Sequence, residues 1–150
     1  MEPWVHQQIK NASVMNLHTI SHDDEIFSVP CLIHYEKGIL FLHPLRNYDH
    51  CYNNIENNDK GSISIEVSLG EQISSILLKG KLQILHSSEK WTTLKLYWTS
   101  VYSFLGPYFD LQERYVLPSM NQRLLSFKPD QIWAWENIDS KPIKYELEII

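Results

Sequence analysis

A strict alternation of polar and apolar side chains runs through Ser62-Ile63-Ser64-Ile65-Glu66-Val67-Ser68-Leu69. Because successive side chains of a β-strand point to opposite faces, this pattern predicts a strand with one buried and one exposed face. A long strand is predicted next, from Ile73 to Leu85, and Gly80 near its middle indicates a bend, a bulge or the close approach of another backbone. Long bent strands are typical of barrels, so this pair favours an antiparallel barrel.

The clearest hairpin lies upstream of this pair. Its predicted strands, Ile26–Tyr35 and Ile39–His43, flank the turn Glu36-Lys37-Gly38, where glycine allows a positive φ. Pro30 cannot donate a ladder hydrogen bond, so it indicates an edge, a bulge or a place where something other than a strand faces the backbone. A further strand is predicted over Val14–Ile20.

Three helices are predicted. The first begins at Pro3 and ends near residues 11–13, and the second lies between Asp49 and Asn57, after a break at residues 44–47. The third runs from Ser88 to Leu105 behind a serine N-cap, and Gly106-Pro107 is expected to end it.

The last part of the chain is predicted to close the sheet. A loop is expected over 118–122, followed by strands around 123–128, 131–135 and 143–149. Trp133 and Trp135 share one face of the middle strand. They are interpreted either as an aromatic wall at a cleft or as ordinary core packing, and core packing is favoured.

Composition narrows the class of protein. A chain of 150 residues with 43% hydrophobic and 21% charged residues predicts one globular domain over 1–150. A net charge of −5 with scattered Lys and Arg argues against a nucleic-acid partner. The chain has no apolar run of membrane-spanning length and no leader pattern, so we expect a cytoplasmic protein without a membrane partner. Cys31 and Cys51 are expected to be free, part-buried thiols.

The order of these elements resembles the split-barrel family of pyridoxamine 5′-phosphate oxidase-like and nitroimidazole reductase-like proteins. The local likeness lies in five stretches: Phe27–Tyr35, Ile39–His43, the segment ending Asn57-Asn58, Ser62–Val67 and Leu78-Lys79-Gly80-Lys81. The resemblance implies a mainly β fold, an antiparallel split barrel with α-helices. It also implies a homodimer that holds FMN in a cleft between subunits.

The resemblance further implies where the flavin binds. The backbone around the hairpin proline faces the flavin ring, and the residues after the second hairpin strand hold the phosphate. The implied cofactor-binding residues are Pro30, Cys31, Leu32, His43, Pro44, Arg46 and His50. Pro44 stands about where the family has a serine, and His50 about where it has a lysine. One hydroxyl donor and one cation are therefore missing from the implied phosphate site.

The residues themselves permit a phosphate site at this place. Arg46 can form a bidentate contact, and the helix from Asp49 to Asn57 presents N–H groups and a positive dipole end at its start. The alternative is that Arg46 is a solvated loop charge. No catalytic residue is assigned, because in a flavin enzyme the cofactor carries the redox chemistry.

Other cofactors are less well supported by the sequence. Cys31 and His34 lie three apart on a strand and so point to opposite faces, which argues against a zinc site there. His43 at a strand end is an alternative axial haem ligand, since some related split barrels bind haem. No nucleophile-elbow, glycine-rich phosphate-loop or zinc-protease motif occurs.

Two functions follow. The first is an FMN-dependent oxidoreductase, a flavoprotein that acts on a small-molecule substrate. The alternative is a non-catalytic member of the same fold that has lost FMN binding and serves in ligand binding, including haem, or in a stress-related interaction.

Overall fold

A computed structural model describes residues 1–12, 14–46, 48–111 and 124–147 of the chain. The elements in chain order are α1 (Pro3–Asn11), β1 (Val14–Ile20), β2 (Ile26–Glu36), β3 (Ile39–Pro44), α2 (Tyr48–Asn57), β4 (Lys60–Leu69), β5 (Gln72–Leu85), α3 (Ser88–Val101), α4 (Leu105–Leu111), β6 (Leu124–Trp135) and β7 (Ile143–Glu146). The predicted strands and helices up to β5 are confirmed to within two residues at their ends.

The strands form one antiparallel sheet in the order β3-β2-β1-β4-β5-β6-β7. An additional pairing of β3 with β6 joins the two sides, so that β1 to β6 form a closed barrel and β7 extends from β6. The predicted mainly β, antiparallel barrel is confirmed. Lys37 and Gly38 both have positive φ in the turn between β2 and β3, as the hairpin prediction requires.

Two apolar clusters hold the fold together. The interior cluster takes alternate residues from the barrel strands, together with Val5 and Ile9 of α1 and Cys51 and Ile55 of α2. The second cluster lies outside the barrel, where α3 and α4 pack on the neighbouring strands β2, β3 and β6. Its buried members are Leu32, Trp91, Leu94, Trp98, Leu105, Phe109 and Leu124.

A register shift marks the middle of the β5–β6 pair. Lys79 is the partner of Gln131, and Gly80 is the partner of Pro129, so Asp130 is an extra residue in β6. A Cβ added to Gly80 would lie 2.1 Å from the Lys128 carbonyl oxygen. The predicted bulge and close backbone approach at this glycine are therefore confirmed.

The prediction of two separate strands around 123–128 and 131–135 is wrong, because β6 is continuous from Leu124 to Trp135. The bulge at Asp130 explains the difference. It lets Pro129 lie within the strand beside Gly80, at the point where the ladder is already irregular.

The prediction of one helix from Ser88 to Leu105 is also wrong. Ser87 caps α3 as predicted, accepting a hydrogen bond from the Lys90 backbone N–H, but Tyr102 is extended and ends the helix. A second helix then starts at Leu105 and contains Gly106 and Pro107. Proline is tolerated there because the first-turn N–H groups of a helix have no partner within the helix.

Some sequence predictions fall outside the described residues: the loop at 118–122, residue 123 at the start of the first closing strand and residues 148–149 at the end of the last. Within the described residues, no helix is long and apolar enough to cross a membrane.

Candidate functional site

Helices α3 and α4 cover one side of the barrel. A second side of its outer surface carries polar and aromatic side chains, at strand positions that alternate with residues buried in the barrel interior. We call this surface the open face and define it by two rows of directly opposed residues on neighbouring strands. The first row is Pro30, Asn16, Ser64, Leu77 and Trp133. The second row is Ser28, His18, Ser62, Lys79 and Gln131.

The tryptophans lie at one end of the open face. Trp133 and Trp135 are half-buried, and their rings stack with centroids 6.5 Å apart and planes 18° apart. Their neighbours Ile132 and Ala134 point into the barrel, and neither tryptophan belongs to either apolar cluster. The favoured interpretation of core packing is therefore wrong, because β6 presents both rings on its outer side.

A hydrogen-bonded group lies near the centre of this face. His18 Nδ1 is 2.7 Å from Ser28 Oγ, and its Nε2 is 3.2 Å from Ser64 Oγ. Partial burial lowers the pKa of His18, which favours the neutral imidazole at pH 7. A neutral imidazole can donate to one hydroxyl and accept from the other, so the three side chains fix one another on the open face.

Pro30 lies at the other end of the first row, where β3 stops pairing with β2. The last pair of that ladder is Cys31 with Pro44, and the Pro30 carbonyl then accepts a hydrogen bond of 2.9 Å from the Leu45 backbone N–H. The N and the carbonyl of a strand residue point to the same side. The missing N–H of Pro30 is therefore on the β3 side, beyond the end of the β2–β3 ladder. Since β2 lies between β1 and β3, it is not an edge strand, and the alternative that fits is a backbone faced by something other than a paired strand.

The same hydrogen bond places the segment after β3 beside Pro30. Arg46 follows Leu45 directly and is exposed, and α2 begins two residues later, at Tyr48. Pro30 thus lies next to the segment of the chain that leads through Arg46 to the ten-residue helix α2.

The other predicted binding residues are placed differently. Cys31 and Pro44 are opposed on one face of the β2–β3 ladder and are buried, and Cys31 belongs to the interior cluster. Leu32 and His43 form the next pair and are buried on the side of α3 and α4. These four residues can offer a cofactor at most their backbone.

His43 is enclosed by aromatic rings. Its imidazole lies 4.9 Å from the Trp91 ring, 5.8 Å from the Phe109 ring and 6.2 Å from the Trp98 ring, measured between centroids. Its side chain has no exposed area. Haem ligation by His43 would require α3 and α4 to move off the barrel.

His50 does not lie on the open face. Its ring stacks on Phe27 with centroids 4.3 Å apart and planes 6° apart. Phe27 and Pro30 are three residues apart on β2, so their side chains point to opposite sides of the strand. The structure therefore separates His50 from Pro30.

Comparison with known proteins gives a result at the level of fold. No family model matches the chain, and no curated protein matches it. A protein related to general stress protein 26 of B. subtilis, of the pyridoxinephosphate oxidase family, from Clostridium acetobutylicum has a TM-score of 0.68 at 12% identity, over 96% of this chain and 92% of its own. The chain has the split-barrel fold.

Two other solved structures with this fold are named for different ligands. An FAD-binding protein from Mesorhizobium loti has a TM-score of 0.63 at 15% identity, over 88% of this chain and 92% of its own. A haem-binding protein from Mycobacterium smegmatis has a TM-score of 0.69 at 10% identity, over 97% of this chain but only 59% of its own. The predicted resemblance is confirmed as a split-barrel fold.

The thiols and histidines of this split barrel do not form a metal centre within the described residues, where no group of three or more His, Cys, Asp or Glu could hold an ion. Cys31 lies inside the barrel, whereas His34 lies outside it, 4.5 Å from the Tyr97 ring. Burial raises the pKa of Cys31 and that of Cys51, the latter to about 12, so both stay protonated. Both are free cysteines, as predicted, and both are fully buried.

The sequence interpretation did not assign His18, Ser28 or Lys79 to a candidate site. The polar half of the alternation in Ser62–Leu69 was a usable signal for Ser62 and Ser64, because those residues had to point away from the core. His18 and Ser28 had no comparable signal, since their meeting depends on the register of β1 against both β2 and β4.

Proposed function

We propose that this split barrel binds FMN at the end of the open face, between Pro30 and the segment that carries Arg46, and that it is a flavin-dependent oxidoreductase for a small molecule. The observation that carries the proposal is the hydrogen bond from the Leu45 N–H to the Pro30 carbonyl. It joins the strand that would face the flavin ring to the segment that would hold the phosphate. FAD-binding and oxidase-family proteins with the same fold support this class of function.

The residues present fit an FMN phosphate, although with few contacts. The guanidinium of Arg46 can donate hydrogen bonds to two phosphate oxygens, and the N–H groups at the start of α2 add the positive end of a helix dipole. Pro44 has no hydroxyl group, and His50 stacks on Phe27, so neither adds to this set. Bound flavin would supply the redox chemistry, while the chain would orient the ring and limit its contact with water.

Arg46→Ala is therefore expected to weaken FMN binding by about 10-fold or more, because a hydrogen bond to a charged group is worth roughly 1.5–3 kcal/mol. The measurement is an absorption spectrum of the purified protein, followed by FMN titration with detection of tryptophan fluorescence. Lys141→Ala, which removes an exposed charge from the β6–β7 loop, is the matched control and should bind FMN like the wild type.

Wild-type protein that neither contains nor binds FMN would contradict this proposal. It would favour the alternative of a non-catalytic split barrel, to which the missing hydroxyl at Pro44 already points. A parallel titration with haem decides whether that alternative includes haem binding.

We also propose that the open face is where two copies of the chain meet. Leu77, Trp133 and Trp135 are only half-buried in the single chain, and they form an apolar strip on the open face. Ser64, the ladder partner of Leu77, lies next to this strip. Pairing of two such faces would bury the strip and would enclose a flavin that a single chain leaves open on one side.

Leu77→Glu is expected to shift the protein from dimer to monomer, because it puts a carboxylate into the centre of the proposed interface. Sedimentation equilibrium measures the mass directly. Leu96→Glu is the control, since Leu96 is also an apolar residue on the surface, 68% exposed on α3. A wild-type monomer, or equal effects of the two variants, would refute the open face as the dimer contact.

A further inference from the structure

A pocket of about 480 Å³ lies beside α1, at the end of the barrel where β4 ends and β5 begins. We call it the α1 pocket, because Trp4, Gln7, Gln8 and Asn11 of that helix line it. None of the predicted flavin-binding residues lines it, and neither do the residues that define the open face or Trp135. The α1 pocket is therefore formed within one chain, apart from the proposed flavin site and the proposed dimer contact.

Helix α1 is held firmly on this end of the barrel. Val5 and Ile9 are buried in the interior cluster. The Gln8 side chain donates a hydrogen bond of 2.9 Å from Nε2 to Ser74 Oγ on β5, and that hydroxyl lies 3.2 Å from Gln8 Oε1. Helix and strand thus give the pocket two walls that exist before a ligand binds.

The α1 pocket carries two negative charges. Glu66 and Glu136 line it and are exposed, and none of the described residues that line it is Lys, Arg or His. Over residues 1–12, 14–46, 48–111 and 124–147, neither carboxylate forms an ion pair. Two unpaired carboxylates at one opening repel each other, so a bound cation would relieve this repulsion.

The two acids are set apart across the sheet. Glu66 on β4 is the ladder partner of Ser75 on β5, whose partner on β6 is Trp135, the residue before Glu136. Because neighbouring strands lie about 4.8 Å apart, the backbones that carry the acids are roughly 10 Å apart. No third metal ligand joins them among the described residues. Two positive groups joined by a short chain match this separation better than one metal ion does.

The rest of the pocket suits the methylene groups of such a chain. Ile65 is buried, and Trp4, Ala12 and Val67 are partly buried against the interior cluster. Aliphatic side chains pack against methylene groups, and the face of a tryptophan ring attracts an ammonium group. Side-chain amides add further carbonyl acceptors: those of Gln7, Asn11 and Gln72.

We propose that the α1 pocket binds a linear aliphatic diamine, with one ammonium group at Glu66 and the other at Glu136. An ammonium group donates three hydrogen bonds and accepts none, so carboxylates and amide carbonyls are suitable partners for it. An anionic ligand would instead meet two like charges. This inference goes beyond the proposed flavin-dependent activity and does not depend on it.

The probe for the test is 1,4-diaminobutane, titrated into the full chain at physiological salt in a calorimeter. We expect saturable binding of one diamine per chain. Butylamine, with one charge, should bind about 5-fold more weakly, and 1,4-butanediol, with none, should not bind measurably. In ¹H–¹⁵N correlation spectra, the diamine should shift the amide signals of Gln7, Gln8 and Ser74. No binding of the diamine, or equal binding of the diol, would overturn the proposal.

Glu66→Gln and Glu136→Gln test the two charges separately. Each is expected to weaken diamine binding by about 5-fold, and the double variant by roughly 25-fold, because the two acids hold different ends of the ligand. Glu56→Gln is the matched control, since Glu56 is exposed on α2 and does not line the pocket. All these side chains are exposed, so the thermal midpoints should match that of the wild type. An equal loss of affinity in Glu56→Gln would refute the pocket, because attraction to the net charge of the chain would then explain the binding.

Leu77→Glu separates the α1 pocket from the proposed dimer contact. Since one chain forms the whole pocket, this variant should bind 1,4-diaminobutane as tightly as the wild type does, whether or not FMN binds at Pro30. Loss of diamine binding in Leu77→Glu but not in Glu66→Gln or Glu136→Gln would place the diamine between two chains and refute the proposal.

Discussion

Gly80→Ala is expected to destabilise the protein by about 3 kcal/mol or more, or to prevent folding altogether. The added Cβ would lie 2.1 Å from the Lys128 carbonyl oxygen and 2.7 Å from the Pro129 Cα. Both are backbone atoms of β6, so no side chain can rotate away to make room. Relief would require the two strands to separate where the bulge at Asp130 already disturbs the ladder.

Urea denaturation followed by tryptophan fluorescence and circular dichroism measures this effect. Gly106→Ala is the matched control, because the nearest atom to its added Cβ is the Thr99 Cγ2 at 3.6 Å, an ordinary contact. Gly106 lies in α4, where alanine has the higher helix propensity, so this variant should be as stable as the wild type or slightly more stable. Similar unfolding midpoints for the two alanine variants would mean that β5 and β6 do not approach this closely.

The sequence was most informative where a local pattern and the tertiary structure agree. The alternation in Ser62–Leu69 predicted β4, and the single glycine within the next strand predicted the bulge, because only glycine fits against a neighbouring backbone. The prediction of two strands in place of β6 was wrong because of Pro129. A proline normally argues against a strand interior, and nothing local indicated that Pro129 would lie beside Gly80.

The candidate site was harder to predict than the fold. The role of Pro30 and Arg46 in binding stays a prediction, although a hairpin and a short loop bring Pro30 next to Leu45, the residue before Arg46. The accessibility of Leu32 and His43 could not be predicted, since it depends on α3 and α4 covering that side of the barrel. The hydrogen-bonded group of His18, Ser28 and Ser64 could not be predicted for a related reason, because it depends on the register of β1 against β2 and β4.

Trp98→Ala is expected to cost about 3–5 kcal/mol of stability, the range typical of large aromatic residues replaced by alanine in a core. Trp98 is completely buried in the outer cluster, and its indole N–H donates a hydrogen bond of 3.1 Å to the Ile33 carbonyl on β2. The substitution would leave a cavity between α3 and the barrel and would remove that hydrogen bond. Urea denaturation measures the loss.

Two further variants separate the loss of packing from the loss of the hydrogen bond. Trp98→Phe keeps most of the ring and loses the N–H, so it should cost about 1–2 kcal/mol, the hydrogen bond plus a small cavity. Leu96→Ala, on the exposed side of the same helix, should cost less than about 1 kcal/mol. If Trp98→Ala were no more harmful than Leu96→Ala, α3 could not be firmly packed on the barrel. His43 would then be open to ligands, and haem ligation by this histidine would again be a competitor to flavin binding at Pro30.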